Sequence, residues 1–166
     1  MNAIIYTSQT GSTERYAKML GEALELPVYN VKEALPKEKD IIYLGWIRAS
    51  KIQGYKTINK KYNIEIIIGV GMGPNDTQIE LLRQKNKIPL EVPLYTLQGN
   101  IHPELLHGMD KIMMTIAVKA TIKGLSEKEE LTLEDQAMLE AMTSQKDHVL
   151  KENLDQIIKD YQGGLL

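Results

Sequence analysis

Short apolar runs and longer amphipathic segments alternate along the first hundred residues. The apolar runs are Ile4-Ile5-Tyr6, Pro27-Val28-Tyr29, Ile41-Ile42-Tyr43-Leu44, Ile64 to Ile68 and Val92 to Leu97. Gly11, Gly45, Gly69 and Gly99 follow the first, third, fourth and fifth of them. Near-continuous apolar runs closed by glycine predict strands buried on both faces. Between them, Tyr16, Met19, Leu20, Ala23 and Leu24 recur at helical spacing, and Ile52, Tyr55, Ile58 and Tyr62 do so more loosely. Asn75 and Gln78 read as a capping box ahead of Ile79, Leu81 and Leu82. Alternating strands and helices imply parallel pairing through right-handed crossovers. The rhythm predicts an α/β fold, a doubly wound five-stranded parallel sheet of order 2-1-3-4-5.

The last third lacks a convincing strand. Leu105, Leu106, Met109, Ile112, Met113, Ile116 and Ala120 make one helical stripe. Leu133, Ala137 and Met138 make a shorter one, and Leu150, Leu154, Ile157, Ile158 and Tyr161 a third, ended by Gly163-Gly164. One helix suffices to cover the sheet edge, so the others are additions. The expectation is a single domain over 1–166, with the sheet and its loops in 1–99 and extra C-terminal helices in 100–166.

Composition narrows the chemistry. The chain has 166 residues and no cysteine, which removes thiolate metal sites, disulfides and a cysteine nucleophile. Net charge is -2, without the basic excess of a nucleic-acid binder. No apolar run approaches the roughly 20 residues of a transmembrane segment. The expectation is a soluble, cytoplasmic protein. His102, His107 and His148 are not spaced as metal ligands, so no metal and no acid–base residue is assigned.

Candidate chemistry concentrates where the first predicted strand meets the first helix. Ser8-Gln9-Thr10-Gly11-Ser12-Thr13 joins them directly. A helix N-terminus leaves amides unpaired and carries positive dipole character. Hydroxyls on Ser8, Thr10, Ser12 and Thr13 add donors, and Gly11 permits close backbone approach. Such a cup binds a phosphate without lysine or arginine. The bland alternative is a Ser/Thr-rich helix cap, but the position beside the switch point favours a ligand. The G-x-x-x-x-G-K-[ST] phosphate loop is absent, and no acidic pair ends the first strand.

The stretch from Ile4 to Thr13, continuing through Ala17 and Leu20, resembles the flavodoxin signature. That signature covers about an eighth of the chain, and the order of elements out to Gly99 agrees with it. The resemblance implies FMN held by its phosphate at Ser8 to Thr13, with the flavin between the loops after the third and fourth strands. The third-strand loop supplies Trp46, Ile47 and Arg48, with Trp46 placed where the family often carries a stacking aromatic. The fourth-strand loop supplies Gly71, Met72 and Gly73. Met72 departs from the tyrosine that many flavodoxins place there, which leaves one flavin face open to a substrate.

The resemblance implies electron transport through a bound flavin, with a redox partner protein or a small-molecule donor or acceptor. Flavodoxin carriers are typically very acidic, whereas this chain is nearly neutral. Arg48, Lys51, Lys56, Lys60 and Lys61 form a basic stretch without an acid, beside the proposed site. From Glu127 to Asp160 ten acids face four lysines in sequence. Gly45-Trp46-Ile47-Arg48 and the methionine-rich segment also resemble, more loosely, a flavodoxin-like branch containing the quinone-dependent protoporphyrinogen oxidases. That likeness implies an FMN-dependent oxidoreductase with a quinone acceptor. The Met109, Met113, Met114 stripe reads as core or as a homodimer interface before it reads as a lipid or quinone contact. A phosphate-ester binding module without redox activity is the third possibility.

Overall fold

The structure, a computed structural model, describes residues 2–33, 36–37, 39–100, 105–106, 108–143 and 146–164. β1 (Ala3–Thr7), β2 (Val28–Asn30), β3 (Asp40–Arg48), β5 (Asn63–Gly71) and β6 (Leu94–Gln98) pair in parallel. They lie in the order β2-β1-β3-β5-β6. The expected count of five is corrected to six, which shifts the strand order as numbered. The sixth strand, β4 (Lys51–Ile52), turns back on the end of β3 and pairs with it antiparallel. It was hidden because Ile52 fits the loose helical spacing as well as it fits a strand. The helix expected from Ile52 to Tyr62 therefore shrinks to α2 (Tyr55–Ile58). The whole is α/β with a mostly parallel sheet, compatible with a flavodoxin-like fold.

Two apolar layers explain the continuous runs. Ile4, Tyr6, Ile42, Leu44, Ile66 and Ile68 meet α1 (Ser12–Leu24) and α6 (Asp155–Gln162) on one face. Ala3, Ile5, Ile41, Tyr43, Ile64 and Ile67 meet β4, α2 and α3 (Ile79–Asn86) on the other. Strand side chains alternate between faces, so burial on both sides leaves no polar position. A bulge opposite Ile41 and Ile42 skips Glu65 and keeps Ile64 and Ile66 on opposite faces.

The capping box before α3 is corrected. Gln78 is the N-cap, with φ 58°, and no side chain caps the helix. Asn75 instead ties the sheet edge to the tail. Its Oδ1 accepts from the Gln98 amide at 2.8 Å, and its Nδ2 donates to Asn153 Oδ1 at 2.9 Å.

After β6, α4 (Gly108–Ser126) and α5 (Leu133–Thr143) pack against each other, and a 3-10 turn at Lys151–Leu154 leads into α6. The stripe read as core or as a homodimer interface faces outward, which overturns the core reading: Met109 is 70% exposed, Ile116 59%, Ile112 54% and Met113 50%. Leu125 is buried, while Met114, Val118 and Ile122 on the same side are half-buried. α4 is apolar nearly all round, so periodicity could not choose its inward face. Among the described residues no helix is long and apolar enough to cross a membrane.

Candidate functional site

β1 delivers the chain to the C-terminal edge of the sheet beside β3, where the strand order reverses. The turn that follows is held from within: Gly11 N donates to Ser8 Oγ at 3.2 Å. Gly11 is the N-cap of α1 at φ +96°, and no side chain caps the helix. A Cβ placed on Gly11 meets nothing within 4 Å, so its Cβ position faces open space. Positive helix-end charge thus meets a cleft where a ligand can approach.

A cleft of about 80 Å³ lies here. Gln9, Thr10, Ser12 and Thr13 form one wall, Trp46 and Ile47 another, and Val70, Gly71 and Met72 a third. Gly99, Asn100 and Met114 complete it. A neighbouring cleft of about 130 Å³ shares Ile47, Gly71 and Met72 and adds Gly73 and Met138. The structure thus brings Gln9, Thr10, Ser12, Thr13, Trp46, Ile47, Gly71 and Met72 together, with Gly73 alongside. Ser8 and Gly11 shape the turn rather than line the cleft. Arg48 is exposed and outside both linings.

The glycines of the fourth-strand loop have a local cause. A Cβ on Gly69 or Gly71 would stand 2.9 or 3.2 Å from Ile47 Cδ1. Ile47 lies across the loop, and the missing side chains make room for it.

No motif or spacing points to the residues that hold the cup shut from behind. Ser12 Oγ donates to the Asn100 carbonyl at 3.1 Å and accepts from the Asn100 amide at 3.0 Å. Asn100 Nδ2 donates to Asp147 Oδ1 at 2.8 Å, and its Oδ1 accepts from the His148 amide at 2.9 Å. Arg15 grips both Asp147 oxygens, at 2.9 and 2.6 Å. Pairings separated by 47 to 132 residues leave no local pattern. Ser12's hydroxyl is committed to this clasp, which leaves the hydroxyls of Thr10 and Thr13 as the candidates for a ligand.

Arg15 holds the Asp147 carboxyl well below the usual carboxylate range, helped by the Val149 amide and Asn100. A carboxyl depressed in the fold contributes stability above its unfolded value, about pH 4, and loses it as pH falls through the folded value. Both side chains are about half exposed, so the pair is screened. Asp147→Asn is expected to cost about 1 kcal/mol near neutral pH. The gap from the parent chain should close as pH drops below about 4; paired urea titrations across pH check this.

Gln9 Oε1 is buried in the cleft wall without a hydrogen-bond partner. A ligand hydroxyl or N–H is the natural donor to it. His102 and His107 lie outside the described residues. Among the described residues no three His, Asp or Glu side chains cluster as metal ligands.

No family model matches the chain, and no curated protein does. Two solved structures are similar. The crystal structure of a "putative flavoprotein" from Bacteroides eggerthii DSM 20697 is 13% identical. It covers 71% of this chain and 95% of its own, at a TM-score of 0.43. A hypothetical protein is 15% identical over 98% of this chain and 72% of its own, at 0.38. Both likenesses are too distant to assign a family or a role.

Proposed function

We propose that the protein binds FMN and passes electrons through it. The observation that carries this reading is the uncapped N-terminus of α1, opening at the strand-order reversal beside Trp46. The donor set suits a phosphate ester: first-turn amides with Thr10 and Thr13 at the phosphate, and Gln9 Oε1 accepting from the rest of the ligand. Trp46 supplies an aromatic wall for a planar ring. A cleft of about 80 Å³ takes a phosphate-sized group; a three-ring system extends into the neighbouring cleft of about 130 Å³, with Met114 and Met138, which line the two, shifting to admit it. Methionine's flexible stem suits that movement. Bound FMN supplies one- and two-electron transfer; the chain's own residues anchor it, orient it and exclude water. The electron partner is a redox protein or a small molecule such as a quinone, which reaches the flavin past Met72.

Titration with FMN, followed by Trp46 emission and by visible absorbance, tests this. Trp46 fluorescence should quench. The Thr10→Ala/Thr13→Ala variant should bind at least about tenfold more weakly, since hydrogen bonds to a charged group are worth about 1.5–3 kcal/mol each. A preparation that stays colourless with unquenched Trp46 overturns the flavin reading. The narrow cleft favours one second reading, a phosphate-ester module without redox activity. In that case simple phosphate esters bind and FMN shows no preference over them.

A further inference from the structure

The basic stretch after Arg48 does not line the cleft at α1. Lys51 of β4 and Lys56 and Lys60 around α2 border a separate cavity of about 550 Å³. The C-terminal end of α3 brings Lys85 and Lys87 to the same hollow, two lysines the sequence stretch does not contain. Among the described residues no acidic one lines it. Among the described residues, none of the five lysines is in an ion pair.

Five unpaired ammonium groups around one hollow repel each other and focus a positive field into it. The walls that carry them are fixed. Asn86 Oδ1 accepts from the Ile52 amide at 2.9 Å, while its Nδ2 donates to the Ser50 carbonyl at 3.0 Å and the Leu82 carbonyl at 2.7 Å. This amide staples the β3–β4 turn to α3, so the backbones of Lys51, Lys85 and Lys87 are set before any ligand arrives. Concavity decides the class of partner. The volume falls among small-molecule sites of about 300–1,000 Å³, and a flat protein face cannot fill it. Lysine ammonium groups suit phosphate oxygens as point charges with three donors each.

We propose that this cavity binds a small polyphosphate, a chain of two or three linked phosphoryl groups, either free or as a nucleoside triphosphate. The proposal is independent of the flavin reading. Calorimetry with inorganic tripolyphosphate at physiological salt tests it, beside a nucleoside triphosphate, orthophosphate and an acidic peptide. Tripolyphosphate should bind at least tenfold more tightly than orthophosphate. Lys85→Gln/Lys87→Gln on one wall and Lys51→Gln/Lys60→Gln on the other should each weaken it at least tenfold. All four side chains are exposed, so the variants keep their fold, checked by circular dichroism. A nucleoside triphosphate binding more tightly than tripolyphosphate identifies the nucleotide as the source; equal affinity identifies the free chain. Unchanged affinity in either variant overturns the proposal, as does tighter binding of the acidic peptide or the absence of measurable heat.

Discussion

Alanine at Gly54 is expected to destabilise the protein by about 3 kcal/mol, the sum of a crowded contact and a left-handed backbone. Gly54 starts α2 at φ +81°, and an added Cβ would stand 2.1 Å from the Tyr43 hydroxyl. That hydroxyl cannot step aside. Tyr43 is fully buried, and its Oη donates to the Gln53 carbonyl at 2.6 Å. The ring is equally fixed beneath α2 and β4. The double variant carries a sharper prediction. Tyr43→Phe alone should cost about 1 kcal/mol, because it strands the Gln53 carbonyl. In the Gly54→Ala background it removes the obstructing oxygen and should instead restore stability. Urea midpoints of the four proteins read this change of sign. Equal costs of Tyr43→Phe in both backgrounds would show that the helix start shifts instead.

Tyr16→Phe is expected to remove about 2 kcal/mol, since the Gln98 carbonyl loses its hydroxyl donor and Asn153 Nδ2 one of its two acceptors, while the His148 carbonyl keeps the Leu150 amide. Tyr16 lies in α1 with no exposed surface. Its hydroxyl faces the Gln98 carbonyl at 2.6 Å and the His148 carbonyl at 3.0 Å, and accepts from Asn153 Nδ2 at 2.7 Å. One phenol joins the end of β6, the tail and the 3-10 turn. Burial pushes this phenol above its usual range, as it does that of Tyr43. An acid whose value is raised by folding favours the native state below its unfolded value and loses that contribution as pH climbs past it. The parent chain should therefore weaken above about pH 10. The phenylalanine variant should show a shallower alkaline decline in denaturant titrations.

How much of this was legible depends on which interactions are local. β1, β3 and β5 are legible because burial on both faces writes a near-continuous apolar run into each, while β2 and β6 at the sheet edges carry shorter, mixed runs. The uncapped turn at Gly11 could be read because helix entry is decided within a few residues. β4 could not, since two residues carry no periodicity. α3's cap was misassigned because Asn75 has a polar side chain at the right spacing, yet spends it on Gln98 and Asn153. The outward face of α4 reads as core or as a dimer interface in sequence because both its faces are apolar. The clasp on Ser12 joins residues 88 apart, and no composition or spacing announces it.

That clasp also sets an order of events during synthesis. The hydroxyls and amides of the cup emerge first from the ribosome, but Asn100, Asp147 and His148 arrive far later. Contacts of such long separation form only after the intervening chain is released, and they are slow to close. Binding at the cup is therefore expected to wait for release of the chain, because a nascent chain halted at the end of β6 presents the turn without the brace that shapes it.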